Sequence, residues 1–89
     1  MELPAQLIIQ VIEDWYEQFQ KEWTPGSACE LDGSGVERID TAGLQCLVAI
    51  SKNLTDQDLS LSWTGVSDTL MQNAKRLGVE QLINLPDHT

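Results

Sequence analysis

The sequence predicts a small α/β domain, with a three- to four-stranded, largely parallel sheet and three to four helices over residues 1–89. Segments with a helical spacing of apolar residues alternate along the chain with short segments that have strand character. Strands that alternate with helices of about 10 to 15 residues form parallel units with right-handed crossovers. Only two strand segments are strong, Ala28–Asp32 and Leu59–Trp63, so we expect a small sheet with weak edges.

Composition limits the classes of partner. The chain has 14 acidic and 5 basic residues and a formal net charge of −9. This charge argues against nucleic acid and against an anionic membrane surface, and it favours either a basic partner or simply solubility. No apolar run approaches the roughly 20 residues that span a bilayer, and the acidic Glu2 is atypical of a signal peptide. We therefore expect a soluble, cytoplasmic protein without direct membrane insertion.

The first helix is predicted to begin at Leu7 or Ile8 and to follow a brief, peripheral segment that contains Pro4. Its apolar stripe has spacings of four, three, four and four residues. Such an aromatic stripe is either a core face or a partner groove, and the core is the more common case. The stripe consists of Ile8, Ile12, Trp15, Phe19 and Trp23.

A turn at Thr24–Ser27 precedes the strand Ala28–Asp32, which we expect to be central. The loop Gly33–Gly35 follows, and Val36 and Ile39 return the chain to the core. Asp40 is then a candidate N-cap for the second helix, because its carboxylate can accept from the free amides of Ala42 or Gly43.

The second half of the chain continues the alternation. After the second helix, Lys52–Asp58 is predicted to be a polar connection, and the strand Leu59–Trp63 is predicted to end at Thr64–Gly65. Ser67 is a plausible N-cap for the third helix, and Gly78 fits the residue just after its end. The segment Val79–Leu85 is compatible with a short helix, a short strand or one of each.

The sequence favours no catalytic or metal site and predicts no cofactor. Cys29 and Cys46 lie on a predicted strand and helix outside any C-x-x-C pair, which indicates buried thiols in a reducing compartment. His88 stands near the C-terminus, where disorder is more common than chemistry. The Gly33–Gly35 loop lacks the other glycine and the lysine of a phosphate-binding loop, so nucleotide binding is a minor alternative.

Two interpretations of the segment around Asp40 remain open. It is either a capped connection of the kind found in any α/β domain or a signalling site. The second interpretation rests on the carboxylate of Asp40, the hydroxyl of Thr41 and the bare backbone of Gly43 at one helix N-terminus. That position exposes amide donors and tolerates added negative charge. A missing side chain at Gly43 would let another helix, a partner or a phosphate approach closely.

The segment Leu31–Gln45 resembles the signature region of STAS domains, the sulphate-transporter and anti-sigma-factor-antagonist modules. A strand that ends in Asp is followed by a small loop and then by Asp40-Thr41-Ala42-Gly43-Leu44 at the start of a helix. The Asp-Thr-Ala-Gly form is similar to that of single-domain STAS proteins of bacterial chemotaxis operons. It is also similar to that of the STAS subunit of a Gram-negative phospholipid-trafficking ABC transporter.

This resemblance implies a non-catalytic protein-interaction module whose partner is an anti-sigma factor or kinase, a chemotaxis protein or a transporter ATPase. Relatives are phosphorylated two positions after the Asp, where this chain has Ala42, so Thr41 is the possible phosphorylation site. Gly43→Gln is expected to weaken binding without unfolding the domain. The implied partner-binding residues are Gly33, Ser34, Gly35, Asp40, Thr41, Gly43, Leu44 and Gln45.

Overall fold

The computed structural model describes residues 1–86 and confirms the α/β class, with all strand pairs parallel. His88, for which disorder was predicted, lies outside the described residues. In chain order the described elements are β1 Gln6–Leu7, α1 Ile9–Glu22, β2 Cys29–Gly33, β3 Arg38–Ile39, α2 Thr41–Asp56, β4 Leu61–Val66 and α3 Asp68–Leu77. No helix within residues 1–86 is both long and apolar enough to cross a membrane.

The four strands of the described chain form two parallel pairs, β1 with β3 and β2 with β4. The N-terminal segment links the pairs, because Glu2 bridges to Asp32 of β2 before the chain reaches β1. Two backbone bonds hold that bridge, from Leu3 N–H to the Asp32 carbonyl and from Asp32 N–H to the Met1 carbonyl. β2 is therefore central, as predicted, with β4 on one side and the N-terminal segment on the other. The N-terminal strand is brief, but the prediction that it is peripheral was wrong.

Helix α1 begins at Ile9, two residues after the first start considered from the sequence. Leu7 belongs to β1 and is fully buried, and Ile8 has extended backbone angles. Strand pairing with β3 overrides the helical spacing at these positions, because Leu7 accepts from the Asp40 N–H at 3.3 Å. The core interpretation of the stripe is confirmed at Phe19, which is 4% exposed.

The predicted limits of two elements were wrong. α2 extends through Asp56 rather than stopping before the polar segment 52–58, because buried Ser51 and Leu54 anchor its last turns. β4 runs from Leu61 to Val66, two to three residues later than predicted. Its final residues pair with the end of β2 beyond an irregularity in register between Leu31 and Asp32.

The caps of α3 follow the sequence signals. The Ser67 hydroxyl accepts from the Leu70 N–H at 3.1 Å, and Gly78 ends the helix with a left-handed φ of 70°. The following segment, for which a helix, a strand or both remained open, forms hydrogen-bonded turns with Ile83 buried. A hydrogen bond connects this segment to β4: the Trp63 indole N–H donates to the Ile83 carbonyl at 2.9 Å.

Candidate functional site

The carboxylate of Asp40 joins the starts of two helices. One oxygen, Oδ1, accepts from the Gly43 N–H at 3.0 Å, which confirms the predicted N-cap of α2. The other, Oδ2, accepts from the Ile9 N–H at 3.0 Å. Because the N-cap residue of α1, Ile8, supplies no side-chain bond of its own, Asp40 satisfies a free amide of that helix as well.

These bonds lower the pKa of Asp40 below its usual value. The hydrogen bond from Ile9 is the largest cause, partial burial opposes it, and the bond from Gly43 adds to the lowering. Amide donors favour the charged carboxylate, so Asp40 is ionised at neutral pH.

The loop after β2 is organised by a second carboxylate. Asp32 Oδ1 accepts from the Ser34 N–H at 3.0 Å and from the Ser34 hydroxyl at 2.6 Å, and the hydroxyl bond is the larger cause of the lowered pKa of Asp32. The Gly33 carbonyl accepts from the N–H groups of Val36 and Ser67, so the loop is tied to the start of α3. β2 and β3 both run parallel to the N-terminal segment, so this loop and the start of α2 lie at carboxyl ends of strands that run in the same direction.

The eight predicted partner-binding residues differ in how far the structure exposes them to solvent. Ser34, Gly35, Thr41 and Gln45 are exposed, and Asp40 is partly exposed. Gly33, Gly43 and Leu44 are buried and offer a partner no surface. These three residues pack within the domain, and their contact with a partner stays a prediction.

Gly43 packs against β1. A Cβ at this position would overlap the Leu7 carbonyl oxygen and lie 3.0 Å from the Leu7 carbonyl carbon. The close approach anticipated from the sequence therefore exists, but the approaching group is a backbone carbonyl of the same chain. We therefore expect Gly43→Gln to destabilise the domain, because the space for the side chain is filled.

Ile9 is a candidate site residue that the sequence did not predict. It is 64% exposed although it is large and apolar, and its amide nitrogen lies 3.0 Å from the Asp40 carboxylate. The contact joins residues 31 positions apart, so no local spacing could have indicated it. The exposed surface at the start of α2 thus combines the carboxylate of Asp40, the hydroxyl of Thr41, the amide of Gln45 and the aliphatic Ile9.

Neither cysteine supplies a reactive thiolate at neutral pH. Both cysteines are free, with Cys29 buried and Cys46 half-buried, and burial raises the pKa of the Cys46 thiol to about 11. Burial is also the largest cause of the raised pKa of Cys29, so both thiols are protonated at neutral pH and are poor nucleophiles. Within residues 1–86 no three His, Cys, Asp or Glu side chains are grouped to hold a metal ion.

A comparison with known families identifies the fold. The family model described as "Mlab, STAS domain" matches residues 2–85, almost the whole chain. The chain belongs to the STAS domain family. No curated protein and no solved structure gives a match. STAS domains are generally non-catalytic protein-interaction modules.

The double role of Asp40 in this STAS domain has a testable consequence. Asp40→Ala removes one cap from each of two helices, and each cap contributes roughly 1 kcal/mol. We expect the free energy of unfolding to fall by about 1–3 kcal/mol near neutral pH, measured by urea denaturation. Asp32→Ala is the matched control, because Asp32 holds only its own loop.

The stabilisation that the Asp40 carboxylate contributes should depend on pH. The pKa of Asp40 is lower in the folded than in the unfolded chain, so its stabilisation is present above the unfolded value of about 4. It is lost as the pH falls through the folded pKa. The difference in stability between wild type and Asp40→Ala should therefore shrink on acidification below about pH 4. A difference that stays constant down to pH 2 would show that the carboxylate charge is irrelevant.

Proposed function

We propose that this STAS domain is a non-enzymatic, cytoplasmic adaptor that binds a protein partner through the start of α2. The observation that carries the proposal is the exposure of Thr41 and Gln45 beside a carboxylate fixed by two helix starts. The backbone under this surface is held by the packing of Gly43 on β1, so the surface is preorganised for binding. A net charge of −9 favours a partner with a basic contact surface.

Two classes of protein are candidate partners for this surface. The first is the ATPase subunit of a lipid-trafficking ABC transporter, proposed because the Asp-Thr-Ala-Gly segment of this chain is similar to that of the STAS subunit of such a transporter. The second is an anti-sigma factor, its kinase or a chemotaxis protein, with phosphorylation of Thr41 as the switch. Ala42, at the position modified in relatives, cannot be phosphorylated, which favours a constitutive adaptor. The exposed hydroxyl of Thr41 at the first position of α2 supports the switch.

A charge at Thr41 tests the proposed surface. Thr41→Glu places a carboxylate next to Asp40, where the helix dipole tolerates it in the free domain. A closely packed partner would not tolerate it. We expect at least tenfold weaker binding to the purified ATPase subunit, which is about 1.4 kcal/mol, with the melting temperature unchanged within a few degrees.

The control is Thr24→Glu, which adds the same charge in the exposed connection after α1 and should leave affinity unchanged. Equal weakening by both variants would indicate a general charge effect and contradict a site at α2. The same titrations with a candidate anti-sigma kinase separate the two partner classes. Mass spectrometry of protein from growing cells decides whether Thr41 is phosphorylated.

A further inference from the structure

The outward face of α2 is unusual for so acidic a chain. Thr41, Gln45, Val48, Lys52 and Thr55 follow one another at spacings of four, three, four and three residues, so they share one side of the helix. Four of these side chains are exposed, and the fifth, Val48, is half-buried and packs against the core. The only acidic residue in the 16-residue helix is its last, Asp56, whereas the chain as a whole has 14. Depletion of charge is a property of the central parts of protein interfaces.

Large apolar side chains lie near both ends of this face. Ile9, 64% exposed, is bonded through its amide to Asp40 at the start of α2. Leu82, 60% exposed, lies beside the second half of the helix. They are two of only four exposed large apolar residues among those the structure describes. Exposed apolar groups beside a charge-depleted face favour contact with a partner along the whole helix.

Leu82 forms one wall of a groove of about 260 Å³ against α2. A cavity of about 150 Å³ accommodates benzene, so this groove has room for a large apolar side chain. The hydroxyl of Thr55 already donates to the Ser51 carbonyl at 3.0 Å and needs no further acceptor. Lys52 is the one charged residue in the lining, which consists of Val48, Ser51, Lys52, Thr55 and Leu82.

We propose that this groove receives an apolar side chain of the protein partner that is adjacent, in the partner's sequence, to a carboxylate. The apolar side chain fills the space between Val48 and Leu82, and the carboxylate pairs with Lys52. This carboxylate is a local exception in a partner surface for which the net charge of −9 otherwise favours basic groups. The inference rests on the proposed function, because the groove continues the face that begins at Thr41 and Gln45. It extends the footprint of the partner from the start of α2 to the C-terminal turns of the domain.

The groove can be probed without the partner. In an NMR titration of the whole chain, acetyl-Phe-Glu-amide should shift the backbone amides of Val48, Lys52 and Leu82 with a Kd on the order of 1 mM. Acetyl-Phe-Lys-amide should bind about two- to fivefold more weakly, the range that exposed ion pairs span. Lys52→Glu should reverse that preference. Shifts that are absent from these three amides, or a preference that Lys52→Glu leaves unchanged, would overturn the inference.

Binding to the purified ATPase subunit gives a second readout. Leu82→Asp and Val48→Asp should each weaken binding at least tenfold, while Leu77→Asp should change it less than twofold. Leu77 is the matched control because it is 50% exposed and lies on α3, outside the groove lining. Circular dichroism melting checks that each variant is folded.

The outcomes separate the two proposals. If Thr41→Glu weakens binding and the groove variants do not, the groove inference is overturned and the proposed function stands. If the ATPase subunit does not bind the wild-type chain, that partner assignment fails, and the peptide titration alone decides on the groove.

Discussion

Phe19→Ala is expected to lower the free energy of unfolding by about 3–5 kcal/mol, the largest effect of any single substitution considered for this domain. Phe19 is 4% exposed and lies at the centre of an aromatic cluster on α1. Its ring centroid is 5.5 Å from that of Trp15, 5.8 Å from that of Trp23 and 6.1 Å from that of Tyr16, with the rings stacked. Truncation removes the ring that all three contacts share and leaves a cavity between α1 and the core.

The loss is large for a chain of this size, because domains typically have only about 5–15 kcal/mol of stability. Each kcal/mol corresponds to about 4–8 °C in melting temperature for 60–100 residues, so thermal and urea unfolding both report the change. Phe19→Leu keeps most of the volume and should lose only about 1–1.5 kcal/mol. Ile9→Ala on the same helix removes an exposed apolar side chain and should change stability by less than about 0.5 kcal/mol. A loss under 1 kcal/mol for Phe19→Ala would place the aromatic stripe outside the core.

Gly43→Ala should destabilise the domain by about 2–3 kcal/mol, although Ala is the better helix former by roughly 1 kcal/mol. The new Cβ overlaps the Leu7 carbonyl oxygen, and that carbonyl cannot move freely. It accepts from the Asp40 N–H at 3.3 Å, and Leu7 pairs with Ile39 in the sheet. Relief of the overlap therefore pushes β1 away from the start of α2 and loosens the contact of Asp40 with Ile9.

Gly35→Ala is the matched control within the same region. A Cβ at Gly35 meets nothing within 4 Å, so the substitution should be neutral or stabilise by up to about 1 kcal/mol. Equal stability of the two variants would mean that β1 and α2 are not packed as closely as the structure shows. Because Gly43→Ala is expected to disturb Asp40, it should also weaken partner binding.

Local signals in the sequence determined the fold class and the caps. Asp40 and Ser67 each accept from the amide three residues later, and Gly78 adopts the left-handed conformation that ends α3. These features depend on atoms within a few residues of one another, so spacing and residue type specify them. The same signals located the candidate site at the start of α2.

Only the tertiary structure decided which side chains at that site face outward. Thr41 and Gln45 are exposed while their neighbours Gly43 and Leu44 are buried, because β1 packs its Leu7 carbonyl onto Gly43. The second bond of Asp40, to Ile9, joins segments 31 residues apart. Such contacts depend on how distant backbone segments pair and in which register, and the spacing of residues within one segment carries no information about that. The groove beside Leu82 has the same origin, because it exists only where the C-terminal turns lie against α2.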